Sequence, residues 1–92
     1  MSADSAWYLY LLECTGDSIY TGITTDVARR FAEHQSGKGA KYTRSRKPIR
    51  VLGQLRFDTK SEALKAEIEI KRMNSTQKRA FCAQLPAQAP EQ

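Results

Sequence analysis

Hydrophobic and polar residues alternate with different periods along this chain, and the changes of period divide it into elements. Trp7 to Glu13 is aromatic and Leu-rich, and the turn residues Thr15-Gly16-Asp17 bound it, the pattern of a buried strand. Ser18 to Ile23 reads as its hairpin partner. A Thr15-Gly16-Asp17 loop sets Cys14 against Ser18 and Tyr10 against Gly22, with Tyr20 the diagonal neighbour of Tyr10 on one sheet face. A slip of one residue would undo this by turning one strand over. Thr25 or Asp26 then caps a helix running to about Ser36, where Gly37 stops it. Val27, Ala28, Phe31 and Ala32 form its apolar stripe. Arg30 and His34, four apart, share a face at the edge of that stripe, whereas Arg29 and Glu33 point elsewhere.

From Ser36 to Pro48 the chain is rich in Gly, Ser and Lys/Arg and reads as an irregular, exposed segment. Arg50 to Phe57 returns to period two: Val51, Gly53, Leu55 and Phe57 alternate with a wetter set of Arg50, Leu52, Gln54 and Arg56. Thr59 and Glu62 form a capping box for a helix to about Met73. Asn74 or Ser75 caps a last helix to about Leu85. The expected fold class is α+β: a small three-stranded antiparallel sheet flanked by helices, in the order β-β-α-β-α-α. Residues 6–85 make the domain, with a disordered N-terminus over 1–5 and a disordered tail over 86–92 that holds Pro86 and Pro90. There is no internal repeat.

Length limits what such a domain can hold. Ninety-two residues form one domain with one modest core, burying roughly 60–65% of the unfolded surface. No apolar stretch is long enough to span a membrane, and Met1 to Ala6 lacks the parts of a signal peptide. Cys14 and Cys82 are too few and too far apart for a disulfide framework or a zinc motif, so reduced, buried thiols in a cytoplasmic protein are expected. A monomer is the expected state.

Charge narrows the partner. Fifteen basic side chains face ten acidic ones, a net charge of +5 and a pI near 9.5, which favours a polyanion. Between Glu33 and Asp58 there is no acid, while Lys38, Lys41, Arg44, Arg46, Lys47, Arg50 and Arg56 are all basic. Tyr42 is interleaved, and Gly37 and Gly39 loosen the backbone. A solvated basic loop has the same composition, but one-sidedness over such a length favours phosphate tracking. Lys38, Lys41, Tyr42, Arg44, Arg46 and Lys47 are therefore the candidate nucleic-acid contacts. They carry no base specificity.

Glu67 is an anomaly on its helix. Its neighbours at three and four residues are Ala63, Leu64, Ile70 and Lys71, so the carboxylate lies in a core-facing arc. A carboxylate there must be paired, protonated or bound to a metal. A Glu67–Lys71 pair answers the need, and so does Mg²⁺, which accepts a lone acidic ligand and keeps most of its waters. His34, the only histidine, suits either a structural hydrogen bond or helix-dipole partner at a helix end, or a site with Arg30. Tyr8, Tyr10 and Tyr20 are ordinary strand residues by type. Gly22, within a strand, marks a bulge or a close backbone approach.

Together these residues resemble the GIY-YIG nuclease family. Tyr8-Leu9-Tyr10 stands at the first motif and Tyr20-Thr21-Gly22 at the second. The run Thr21 to Asp26, then Arg29-Arg30-Phe31 and His34, is similar to the family's core, and Ser61 to Glu67 to the segment holding its metal-binding glutamate. The likeness covers about Trp7 to Cys82. The small bacterial stand-alone members are the best match, Ser36 to Arg44 included, and the nuclease domain of the nucleotide-excision-repair incision subunit is a more distant relative. Tyr8 replaces the usual first glycine, a change of packing more than of chemistry. Asn74 stands only seven residues past Glu67, where many relatives have a more distant asparagine.

The resemblance implies an endonuclease hydrolysing phosphodiester bonds in nucleic acid, with DNA favoured over RNA, structured or damaged DNA as candidate substrates and a role in DNA repair. It implies a site of Tyr10, Tyr20, Arg30, His34 and Glu67. In it Glu67 holds Mg²⁺ or Mn²⁺, Arg30 stabilises the transition state, and Tyr20 is the general base, helped by Tyr10 or His34. A phenol with its ordinary pKa near 10 needs nearby positive charge to serve as a base. A non-catalytic nucleic-acid-binding module that retains the fold is the alternative. A Cys14/His34 thiol hydrolase is the weakest reading, because no third group orients the pair.

Overall fold

A computed structural model describes residues 6–85; the two terminal segments expected to be disordered lie outside them. Strand β1 (Trp7–Cys14) is central, flanked by β2 (Ser18–Thr24) and β3 (Pro48–Phe57), and both pairings are antiparallel. Helices α1 (Val27–Gln35) and α2 (Lys41–Ser45) lie between β2 and β3 in sequence, and α3 (Lys60–Lys71) and α4 (Ser75–Ala83) follow. The expected three-stranded α+β architecture is therefore present. The order is β-β-α-α-β-α-α, with one helix more than the sequence suggested. That helix is a single basic turn, too short to show periodicity and without a side-chain cap.

The sheet separates two small apolar clusters. On one face Leu9, Leu11, Ile19 and Ile70 are buried, with Phe57, Ala66 and Phe81 packed on them. On the other face Tyr10, Leu12, Cys14 and Val27 are buried, with Tyr8, Tyr20, Phe31 and Val51 alongside. Successive β1 side chains feed opposite clusters, which is why β1 lacks a polar face. The hairpin register is the expected one: Cys14 pairs with Ser18, Leu12 with Tyr20 and Tyr10 with Gly22. Gly16 and Asp17 turn the chain in the left-handed region, at φ of 77° and 57°.

The alternation expected for β3 fails at one point. Leu11 pairs with Gly53 but Leu12 pairs with Val51, so Leu52 is an extra residue. This β-bulge reverses the facing of Val51 and Arg50, before a second register shift at Ile49, between the Glu13–Arg50 and Cys14–Pro48 pairs. Leu52 joins the cluster under α3 and α4, and Val51 the cluster under α1. The stripe expected on α1 also needs correction. Ala28 and Ala32 are exposed, and the buried arc runs through Val27, Phe31 and His34. Two alanines offer little area to bury, whereas a hydrogen-bonded imidazole can occupy a core position.

The helices are capped at the expected places, but the capping box expected at Thr59 is only half made, with no return bond to the Glu62 side chain among the described residues. The Asp26 side chain accepts from the Arg29 N–H, Thr59 from Glu62 and Asn74 from Gln77, and the Gln77 side chain accepts from the Asn74 N–H to complete a capping box. Gly37, at φ 87°, ends α1 in a left-handed turn. No helix among the described residues is long and apolar enough to cross a membrane.

Candidate active site

The hairpin brings the two motif tyrosines together: the rings of Tyr10 and Tyr20 have centroids 6.2 Å apart. Gly22 is what lets Tyr10 lie flat across β2. A Cβ at Gly22 would sit 2.7 Å from the Tyr10 hydroxyl oxygen, so the glycine marks a close approach of a side chain. The hairpin itself pairs without a bulge.

From α1, His34 projects into the same cluster and is completely buried (0% exposed). Its Nε2 lies 2.9 Å from Tyr10 Oη and its Nδ1 lies 2.7 Å from Thr43 Oγ1. The Tyr20 ring packs on the imidazole at 4.9 Å and on the Tyr42 ring at 5.7 Å. Burial first, then the charge of Arg30, holds the His34 imidazole below its ordinary range, with Glu33 opposing. His34 is therefore neutral at physiological pH. The Tyr10 phenol is pushed up to about 12, chiefly by burial and next by Tyr20, while Arg30 pulls it down and Glu67 pushes it up. Tyr10 accordingly stays protonated.

Arg30 is half-buried beside Tyr10, and Arg29 is exposed, as the helical spacing implied. Glu33 does not point away from this cluster. Its carboxylate accepts from the Arg30 guanidinium at 2.9 Å, because three residues along a helix is as close a neighbour as four. Glu67 comes from α3, across the sheet, and its charge still acts on Tyr10. Ala63 and Ile70 are buried as expected, but Leu64 is 40% exposed, so the core-facing arc runs through Ala66 instead. The Glu67 side chain is 17% exposed, and Oε2 is paired with Lys71 Nζ at 3.3 Å. The sequence leaves pairing and metal binding as alternatives; the pair is present and uses one of the two carboxylate oxygens.

Three residues that sequence reasoning passed over belong to the site. Thr43 is buried between exposed Tyr42 and Arg44, and a lone threonine in a basic segment carries no signal of that. Glu33 was assigned to the wrong side of α1. Gly39 was read as loosening the loop, but a Cβ there would collide with the His34 imidazole, so the glycine lets the loop close over the ring. Lys38, Lys41, Tyr42, Arg44, Arg46 and Lys47 are all exposed around this closure. Tyr8 lines a depression of about 330 Å³ with Gln54 and Thr25 to Ala28 beside the tyrosines.

Two other candidates are accounted for by structure. Asn74 caps α4. Cys14 and Cys82 are free; Cys14 is buried as expected, Cys82 only half-buried, and burial pushes both thiols up, away from nucleophilic thiolates. Both ring nitrogens of His34 already have partners other than sulfur. Among the described residues no group of three His, Cys, Asp or Glu side chains converges to hold a metal ion. A single half-buried carboxylate beside phenols is a hard-oxygen donor set. It fits an ion that retains most of its water, as Mg²⁺ does.

Two paired tyrosines, an arginine and a histidine on the next helix and a glutamate on a later one define a class. The pattern of the GIY-YIG catalytic domain matches residues 6–80, and the chain belongs to the GIY-YIG family. Its relatives place it with the UPF0213 proteins, small stand-alone members of that family. A UPF0213 protein of Cupriavidus necator is 94% identical over 98% of both chains, and one of Natronomonas pharaonis is 47% identical over 90% of this chain and 95% of its own. Two solution structures share the fold. The UPF0213 protein of Bacillus halodurans is 46% identical, with a TM-score of 0.53, covering 85% of this chain and 83% of its own. A protein of E. faecalis is 41% identical, with a TM-score of 0.60, covering 90% and 88%.

Proposed function

We propose that this domain is a metal-dependent endonuclease that hydrolyses phosphodiester bonds in DNA. One observation carries the reading: Tyr10, Tyr20, Arg30 and His34 converge on one patch, within electrostatic reach of Glu67 and beneath an exposed basic segment. Membership of the GIY-YIG family supports nuclease chemistry and contact with nucleic acid.

In this mechanism Lys38, Lys41, Arg44, Arg46 and Lys47 draw in the phosphate backbone, and Tyr42 offers an exposed aromatic face to a base. Arg30 is permanently charged and meets the charge that builds on the phosphate. Tyr10, held protonated, donates a hydrogen bond and orients its neighbours. The proton of the attacking water then passes to the phenolate oxygen of Tyr20, which has first released its own proton to solvent and whose ring is less enclosed than that of Tyr10. Glu67 would hold Mg²⁺ or Mn²⁺, which when bound neutralises charge at the leaving oxygen. The products carry 5′-phosphate and 3′-hydroxyl ends.

Incubation with nicked, branched and linear DNA and with RNA, in Mg²⁺, Mn²⁺ or EDTA, tests this directly. DNA cleavage that EDTA abolishes, and that Glu67→Gln and Tyr20→Phe each reduce by at least about 100-fold, is the expected outcome. Cleavage indifferent to Glu67→Gln overturns the metal assignment. The Glu67–Lys71 pair favours a second reading, in which the carboxylate is structural and the domain binds nucleic acid without cutting it. Binding without cleavage under every metal condition supports that reading.

A further inference from the structure

Thr43 Oγ1 lies 2.7 Å from His34 Nδ1 and 2.9 Å from the carbonyl oxygen of Ala40. A carbonyl oxygen only accepts, and a threonine hydroxyl has one proton to give. At 2.9 Å the Thr43 hydroxyl must donate to Ala40, since two lone pairs facing each other there would repel. Thr43 Oγ1 is then left as an acceptor toward His34, so Nδ1 carries the imidazole proton. Nε2 is left with a lone pair, and its one partner, the Tyr10 hydroxyl at 2.9 Å, must donate to it. We infer that Thr43 is a positioning residue: it holds His34 in the Nδ1–H tautomer and so orients the Tyr10 hydroxyl proton toward Nε2.

A doubly protonated ring would have to donate at both nitrogens, and its burial among Tyr10, Tyr20 and Thr43 disfavours the cation. The relay Tyr10 → His34 → Thr43 → Ala40 runs from the central strand through α1 to the start of α2. It ties the element bearing Tyr42, Lys41 and Arg44 to the phenol beside the proposed scissile phosphate. With its hydroxyl proton engaged by His34 Nε2, Tyr10 remains a neutral phenol that turns its lone pairs toward Arg30, which leaves the general-base role to Tyr20. The catalytic part of this inference rests on the nuclease reading; the tautomer does not.

The chain has one histidine, so ¹⁵N NMR of the ring reports His34 alone. The full-length protein is expected to show a protonated Nδ1 and an unprotonated Nε2 at neutral pH. Thr43→Ser should retain that pattern, and Thr43→Val, or Thr43→Ala where the valine does not fold, should shift the proton toward Nε2. An Nε2–H tautomer in the unaltered protein overturns the inference, and so does an Nδ1–H tautomer undisturbed by deletion of the hydroxyl. In a cleaving enzyme Thr43→Val should lower kcat by about 10–100-fold with little change in KM, and Thr43→Ser should restore it. If no cleavage is seen at all, the nuclease reading fails while the ring spectrum still decides the role of Thr43.

Discussion

Tyr10 and Tyr20 occupy one sheet face two residues apart in register, yet their surroundings give them different chemistry. Tyr10 is enclosed by His34, Gly22 and the β1–α1 cluster, and burial lifts its phenol to about 12. Tyr20 is only half-buried. Gly22→Ala tests the enclosure. The added methyl forces the Tyr10 ring from its seat, which should cost about 1–3 kcal/mol of stability by overpacking. Urea denaturation measures that destabilisation, and the single His34 ring signal reports the displaced phenol. His34 supplies a pH test. Its folded pKa is depressed, so the unfolded chain binds more protons, and its contribution to stability is present above the unfolded value of about 6.5 and lost as pH falls through the lower folded value. Denaturation midpoints should therefore drop as pH falls below about 6.5, and His34→Gln should flatten the profile there. Glu13, held low first by its bond to Arg50, acts only at more acid pH and does not confuse the two.

At the scale of elements, the caps separate structural polar residues from candidate chemistry. Asn74 has the residue type of a site residue but the geometry of an N-cap, with a reciprocal Gln77 bond. Asn74→Ala should cost about 1 kcal/mol, lowering the thermal midpoint, while cleavage at a permissive temperature stays within about twofold; a collapse of rate with unchanged stability would return Asn74 to the site. The β3 bulge at Leu52 and the single-turn helix α2 share one origin. Both are deviations of one residue or one turn, made where packing on the layer below repays the broken pattern. Neither leaves a periodic trace. The bulge lets Val51 and Leu52 fill opposite clusters, and α2 places Thr43 on His34.

Over the whole of the described residues, paired and unpaired charges lie in different places. Acids pair with bases at the hairpin and strand ends, as in Glu13 with Arg50 and Arg79, and Asp17 with Arg79. The loop and helix before β3 carry cations alone. Removing one cation that neutralises a phosphate should lower the log–log salt dependence of DNA binding by roughly 0.9 on duplex and 0.7 on single strands. Lys41→Ala and Arg44→Ala should each show such a decrement in fluorescence anisotropy titrations across salt, uniformly over sequences. Arg29→Ala, on the exposed face of α1, provides the comparison on another helix. A slope unmoved by both substitutions in α2 would remove that helix from the nucleic-acid interface.

The existence of the three strands, the hairpin register, the N-caps to within one residue and the choice of Arg30 over Arg29 were determined by the sequence alone. They depend on period, turn chemistry and neighbours within a few residues, all of which are local. The position of Glu67 on a core-facing arc was local too, and it survived although Leu64 did not belong to that arc. What only the tertiary structure decided is how non-local partners share the polar atoms: His34 between Tyr10 and Thr43, and Arg30 and Glu67 acting on the Tyr10 phenol from two different helices. Residues 10, 34 and 43 belong to three different elements. The hydrogen bonds joining them exist only after the sheet and both helices have packed, because no local pattern encodes which donor a buried imidazole will find.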